Sequence, residues 1–159
     1  PLKAGTLLVE AIYNISTTAP KNLHLQRYLP PTSTRIVVDS NKNNLSHIIG
    51  FEHINKLGEK VSKRVAQDIV RHARKDIIDI VNQTEDIAQN LKNNLISEAV
   101  DHMKELQNNE HNRLSALAKI NPNIRAQELE FILSETTIMQ EHLENATLKL
   151  DALRIAVAT

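Results

Sequence analysis

The chain has no cysteine, no tryptophan, three glycines and only 3% aromatic residues among its 159. Without cysteine, disulfides, thiolate metal sites and cysteine nucleophiles are excluded together. Large rings supply much of a compact core, so apolar burial must fall on Leu, Ile, Val and Ala. Gly5, Gly50 and Gly58 are too scattered for a phosphate-binding loop of either the Walker or the dinucleotide kind, and no Gly-x-Ser-x-Gly elbow is present. No apolar run approaches the ~18 residues of a membrane span, and no signal peptide is visible. The only proline beyond residue 31 is Pro122, so the later sequence reads as long helix with few breaks. Formal net charge is zero, which gives no global field toward nucleic acid or membrane. The charge is nonetheless uneven. Residues 1–50 carry five Lys/Arg against two acids, residues 51–120 eleven of each, and residues 121–159 three against six. The sequence starts at Pro1 rather than Met and reads as a piece of a longer polypeptide.

What is present divides into a β-rich part and a helical part. Residues 6–16 are rich in β-branched and aromatic types and predict a strand. Residues 23–29 alternate Leu23, Leu25, Arg27 and Leu29 against His24, Gln26 and Tyr28, the period of a second strand, which Pro30-Pro31 must end. Residues 34–39 predict a third, followed by the turn cluster 40–44. From Phe51 the period lengthens. Leu57, Val61, Val65, Ile69 and Ala73 recur at four-residue steps, and an apolar series continues from Ile77 through Met103 and Leu114 to Leu117. That span is too long for one ordinary helix, and one or two breaks are expected, with Gly58 and Asn108-Asn109 as the candidates. Asn121 and Pro122 predict a helix restart, as cap and first helical residue. A second heptad series follows: Leu129, Thr136, Leu143 and Leu150, with Ile132, Met139 and Ala146. Two such seams joined by a turn predict an antiparallel, coiled-coil-like hairpin whose stripes bury each other. The last residues turn β-branched and predict a strand that rejoins the first.

The resulting expectation is an α+β fold: a small, mostly antiparallel sheet with a long antiparallel helical hairpin. Its parts are a β-rich base over 1–50, a helical arm over 51–120 with one or two breaks, a returning helix over 121–150, and a terminal strand over 151–159, all in one domain.

Seven histidines and nineteen acids raise a metal site as a hypothesis. No His has Glu three residues before it and no His-Glu-x-x-His occurs, so His72, His102, His111 and His142 are expected on solvated helix faces. No residue constellation demands catalysis, and no catalytic, cofactor-binding or metal residue is assigned. The most informative local pattern is basic. Lys56, Lys60, Lys63, Arg64, Arg71, Arg74 and Lys75 fall within about 120° of the circumference if the stretch is one helix, opposite Val61, Val65, Ile69 and Ala73. Such a stripe can engage phosphates or an acidic protein surface. It can equally be an ordinary solvated face, because Glu52, Glu59, Asp68 and Asp76 dilute it. Aromatic residues that would stack on bases are missing from it.

Three segments carry a family resemblance: APKNLHLQRYLPPTSTRIVVDSNKNNL at 19–45, NPNIRAQEL at 121–129 and LDALRIAVA at 150–158. They resemble the C-terminal domain of the bacterial RNA polymerase-recycling family of SWI/SNF-type ATPases. The middle, 51–118, matches mainly in helical character and length. The resemblance implies a cytoplasmic bacterial setting and a non-catalytic accessory domain on a DNA-translocating ATPase that binds RNA polymerase. It implies ATP and Mg as cofactors of the parent and none for this part. It implies core RNA polymerase and the parent's own motor domains as partners, with DNA as a further one. No membrane partner is expected. Because the motor's motifs are absent here, no catalytic residue carries over. Three alternatives stand beside contact with polymerase: a nucleic-acid module acting through the basic face, a structural brace for the motor lobes, and a coiled-coil oligomeriser.

Overall fold

The computed structural model describes residues 2–159; Pro1, the start of the expected base, lies outside the described residues. Strand β1 is Leu7–Ser16, β2 is Thr32–Asp39 and β3 is Thr147–Val157, in the order β2-β1-β3. Both pairings are antiparallel: Ser33 Oγ donates to Asn14 Oδ1 (2.6 Å) while Ser40 N donates to Leu7 O (2.8 Å), and at the other edge Ala158 N donates to Thr6 O (2.9 Å). The helices are α1 (Phe51–Leu57), α2 (Lys63–His72), α3 (Arg74–Ala118) and α4 (Ala126–Glu144). The α+β class read from the sequence is what the structure has.

The chain folds as two compact units. The first comprises residues 2–14, 33–90 and 148–159, the second 15–32 and 91–147. In the first unit, Leu7, Val9, Ala11 and Tyr13 of β1 and Ile36 and Val38 of β2 pack on Ile77, Ile80 and Ala88 of α3. Alternate residues of a strand share a face, so period-2 spacing on β1 meets period-3.6 spacing on α3. A long-range polar link in this core joins Tyr13 to Thr84. The Thr84 hydroxyl donates to Val81 O (2.7 Å), so Tyr13 OH is its donor at 2.9 Å. Burial raises the Tyr13 pKa, the Thr84 bond offsets this in part, and the charge of Glu85 adds to the rise.

In the second unit, Leu23, Leu25, Tyr28 and Leu29 pack on Ala99, Val100 and Met103 of α3 and on Met139 and Leu143 of α4. The strand expected over 23–29 is replaced by two 3-10 turns, Lys21–Leu23 and Leu25–Arg27. His24 stands between them in the left-handed region at φ 48°. A strand would place Arg27 beside the leucines and Tyr28 opposite them. The turns instead expose Arg27 and bury Tyr28, three residues on from Leu25 as a 3-10 period requires. The Tyr28 ring also meets His102 edge-on, with centroids 5.6 Å apart.

The helices differ from expectation at their ends. The break at Gly58 is present: Gly58 N donates to Ile54 O (2.9 Å), and a Cβ on Gly58 would stand 2.5 Å from that oxygen. Ser62 then caps α2, accepting from Val65 N (3.4 Å). A second break falls at Ala73, where a ring nitrogen of His72 reaches Asp68 O (2.7 Å) and competes for an acceptor of the helix ladder. Asn108-Asn109 do not break α3. Their low propensity, about 0.7 kcal/mol each, is outweighed by the helix on either side. Asn121 caps a turn rather than a helix, accepting from Asn123 N (3.0 Å). The returning helix therefore starts at Ala126, with Glu128 accepting from Arg125 N (3.3 Å). It stops at Glu144, so Leu150 lies on β3 and is exposed, not in a seam.

Asp39 closes β2. It is buried, and its carboxylate accepts from Asn41 N (2.9 Å), Asn43 N (2.8 Å) and Asn43 Nδ2 (2.9 Å). Burial alone raises its pKa, but the bonds from Asn43 and Asn41 outweigh burial and hold it below the ordinary 3.8. The stabilisation is thus complete above 3.8 and lost as pH falls through the lowered folded value. Asp39→Asn is expected to lose about 1–2 kcal/mol at neutral pH. Urea midpoints across pH should show that gap narrowing below pH 3.8; a gap independent of pH would contradict this role.

Candidate interaction surface

In the first unit the three strands each carry one charge that meets the others on a single face. Glu10 of β1 is buried. Its two oxygens accept from Arg35 Nε of β2 and Arg154 Nε of β3. Arg35 Nη1 also donates to Ile49 O (2.7 Å), and Arg154 Nη1 donates to Asn55 Oδ1 (2.6 Å) while its guanidinium lies 5.4 Å from the Phe51 ring centroid. Two cations share one carboxylate, and the surplus charge is directed at the backbone, amide and ring of the segment that enters α1. The arginines thereby hold α1 on the sheet, although α1 itself has no buried residue. Sequence reasoning missed this cluster. The available signal was a lone acid in an otherwise apolar strand, Val9-Glu10-Ala11.

Glu10→Gln leaves two part-buried cations short of their counter-charge. Breaking a buried ion pair on one side is strongly destabilising. Because both guanidiniums keep some solvent, a loss of about 3 kcal/mol, the low end of that range, is expected in urea unfolding. A loss below about 1 kcal/mol, the scale of an exposed pair, would show that the cluster is only superficial.

The structure distributes the seven predicted basic residues over three elements and a connection. Lys56 lies on α1, Lys60 in the connection 58–62, Lys63, Arg64 and Arg71 on α2, and Arg74 and Lys75 in the first turn of α3. The single continuous helix assumed for the stripe is therefore absent. On α2 itself Lys63, Arg64 and Arg71 stay within about 100° of one another. All seven are exposed. Of the seven, only Arg71 has an ion pair among the described residues, a loose one with Asp68 at 3.9 Å.

The opposite, apolar face is a correction to expectation. Leu57, Val61 and Val65 are 81%, 56% and 46% exposed, and α2 buries no residue. Among the described residues of the first unit none buries them, whereas Ile69 and Ala73 of the same expected face are half-buried, Ala73 against the core that α3 closes. Beside α1 lies an open groove of about 640 Å³ lined by Leu8, Leu45, Ile48, Ile54, Leu57 and Val157. The second unit has its own groove, about 850 Å³, where Tyr28, Leu106, Phe131 and Ile132 meet a charged rim that includes Arg27 and Arg125. Among the described residues no three His, Asp or Glu side chains converge as metal ligands, and no helix is long and apolar enough to cross a membrane.

This is an α+β domain with exposed cationic and aliphatic surface, and its sequence relationships agree on its class. The chain belongs to the RNA polymerase recycling family, whose C-terminal model matches residues 1–158. The resemblance carried by 19–45, 121–129 and 150–158 is thus borne out. The chain is similar to proteins named RNA polymerase-associated protein RapA. It is 37% identical over 158 residues to that of Proteus mirabilis (strain HI4320), covering 99% of this chain and 16% of the relative. It is 34% identical over 156 residues to that of Haemophilus influenzae (strain PittEE), covering 98% and 17%. The RapA of Erwinia tasmaniensis is 37% identical over 158 residues, with 99% and 16% covered. The chain therefore spans about a sixth of the length of these curated relatives.

Proposed function

We propose that this domain is a non-catalytic accessory module of an RNA polymerase-recycling ATPase in the bacterial cytoplasm, and that it works by macromolecular contact. The ATP and Mg chemistry belongs to the parent's motor. This domain supplies a docking surface for core RNA polymerase and sets the position of the motor domains against it. The observation that carries the reading is the stretch from Lys56 to Lys75. Its seven cations are all exposed and six have no ion pair among the described residues, while α1 and α2 bury no side chain of their own. A segment that contributes so little to the fold's core, yet is clasped to it by Arg35 and Arg154, is suited to binding. Rim cations of this kind chiefly steer encounter and set specificity.

The test is binding of the labelled chain to bacterial core RNA polymerase with duplex DNA as competitor. Saturable binding that DNA does not displace is expected. The triple variant Arg71→Glu, Arg74→Glu and Lys75→Glu should weaken it by about tenfold or more with helicity unchanged. Binding that survives the reversal would make the stripe a solvated face. Displacement by DNA, with affinity falling steeply as salt rises, would transfer the stripe to phosphate contact.

A further inference from the structure

The two edges of the sheet are treated differently. The outer edge of β2 is closed by the chain that follows it: Val38 bridges Asn44, Leu45 N donates to Val37 O (2.7 Å), and Val37 N donates to Ser46 Oγ (3.0 Å). Strand β3 has 11 residues and, among the described residues, no strand pairs with it on its outer side. Lys149 through Leu153 are all exposed, so consecutive residues, which point to opposite faces, are uncovered on both. Leu150 and Leu153 are 42% and 43% exposed. Folded proteins blunt such edges with edge charges, proline, bulges, inward charge or a covering element. Here the described residues put neither proline nor a covering strand on the edge, and its two charges, Lys149 and Asp151, are of opposite sign, so a second copy can match them.

We infer that β3 is a pairing edge whose occupant is β3 of a second copy of this chain, aligned antiparallel about Leu150. The sequence of the bare stretch is self-complementary in that register. Lys149 of each copy stands opposite Asp151 of the other, so two opposite-charge pairs form on one face. On the other face Leu150 meets Leu150, and Leu148 meets Ala152 on either side. Directly opposed side chains in antiparallel strands are close enough for both kinds of pair to contribute. Slipping the register by one residue sets Leu150 against Asp151 and loses both patterns. Arg154 does not disturb the match, because it is committed to Glu10 and Asn55. Each copy offers the same edge to the other, so the contact is isologous and closes as a dimer, joining two three-stranded sheets into one of six strands.

Sedimentation equilibrium of the chain over a concentration series tests this directly. The wild-type chain is expected to approach twice its monomer mass. Lys149→Asp and Asp151→Lys each place like charges opposite one another twice, and each alone should raise the dimer dissociation constant by at least about tenfold. Mixed in equal amounts, the two variants restore both opposite-charge pairs across the interface and should dimerise again. The double variant carrying both exchanges should do so by itself. Both positions are exposed, so circular dichroism should match the wild type throughout. A wild-type chain that stays monomeric overturns the proposal. So does a dimer that neither single variant weakens, a mixture that remains monomeric, or open-ended association in place of a closed dimer.

Discussion

A 45-residue helix with an apolar stripe along its length must find cover for all of it, and α4, with 19 residues, is less than half as long. The fold answers this by giving α3 two kinds of neighbour. In the first unit Ile77, Ile80 and Ala88 are covered by the strands, and in the second Ala99, Val100 and Met103 are covered by α4 and the 3-10 turns. Strand β1 is central to its sheet because it must present one face to α3, and its other face receives Glu10. Burying that carboxylate obliges the flanking strands to supply Arg35 and Arg154, and the arginines in turn fix where the chain after β2 crosses the sheet. Packing of one helix thus decides the sheet, and the charge buried in the sheet decides where α1 lies.

The same chain of causes leaves α1 and α2 free of the core. Their apolar residues were expected to join the long seam, but the break at Gly58 and the bend at Ala73 separate them from α3, and the sheet has no further face to offer. A segment with cations on one side and uncovered aliphatics on the other, held by a few polar clasps, costs little to engage with a partner. It has few core contacts to give up, Ala73 on the core of the first unit and the half-buried Ile69 among them. This is the physical basis for placing the contact surface of the domain between Lys56 and Lys75.

Much of this was legible in the residues. The β-branched run of β1, the turn after Asp39, the seam residues Ile132, Met139 and Leu143, and the return of a terminal strand all follow from local spacing. The misreadings share a cause, which is that a local period does not show its partner. Leu23, Leu25 and Leu29 alternate as a strand would, yet a left-handed His24 folds them into turns because a helical groove, not a sheet, receives them. Leu150 continues a heptad count by sequence, but the helix has already ended at Glu144. The Glu10 cluster joins positions 25 and 144 residues apart, and no spacing rule connects three strands at those separations. The basic residues were visible as a set, whereas their division among α1, α2 and α3 depended on bends that neither glycine nor proline announces at Ala73.

The most direct measurement of the central claim is hydrogen exchange of the chain, free and bound to core RNA polymerase, resolved along the sequence. The account predicts fast exchange over 51–72 in the free chain, where helices without buried residues open locally, and marked protection over 56–75 in the complex, with the hairpin of the second unit unchanged. Protection confined to the hairpin groove around Leu106 and Phe131, with 56–75 left as fast as before, would contradict it.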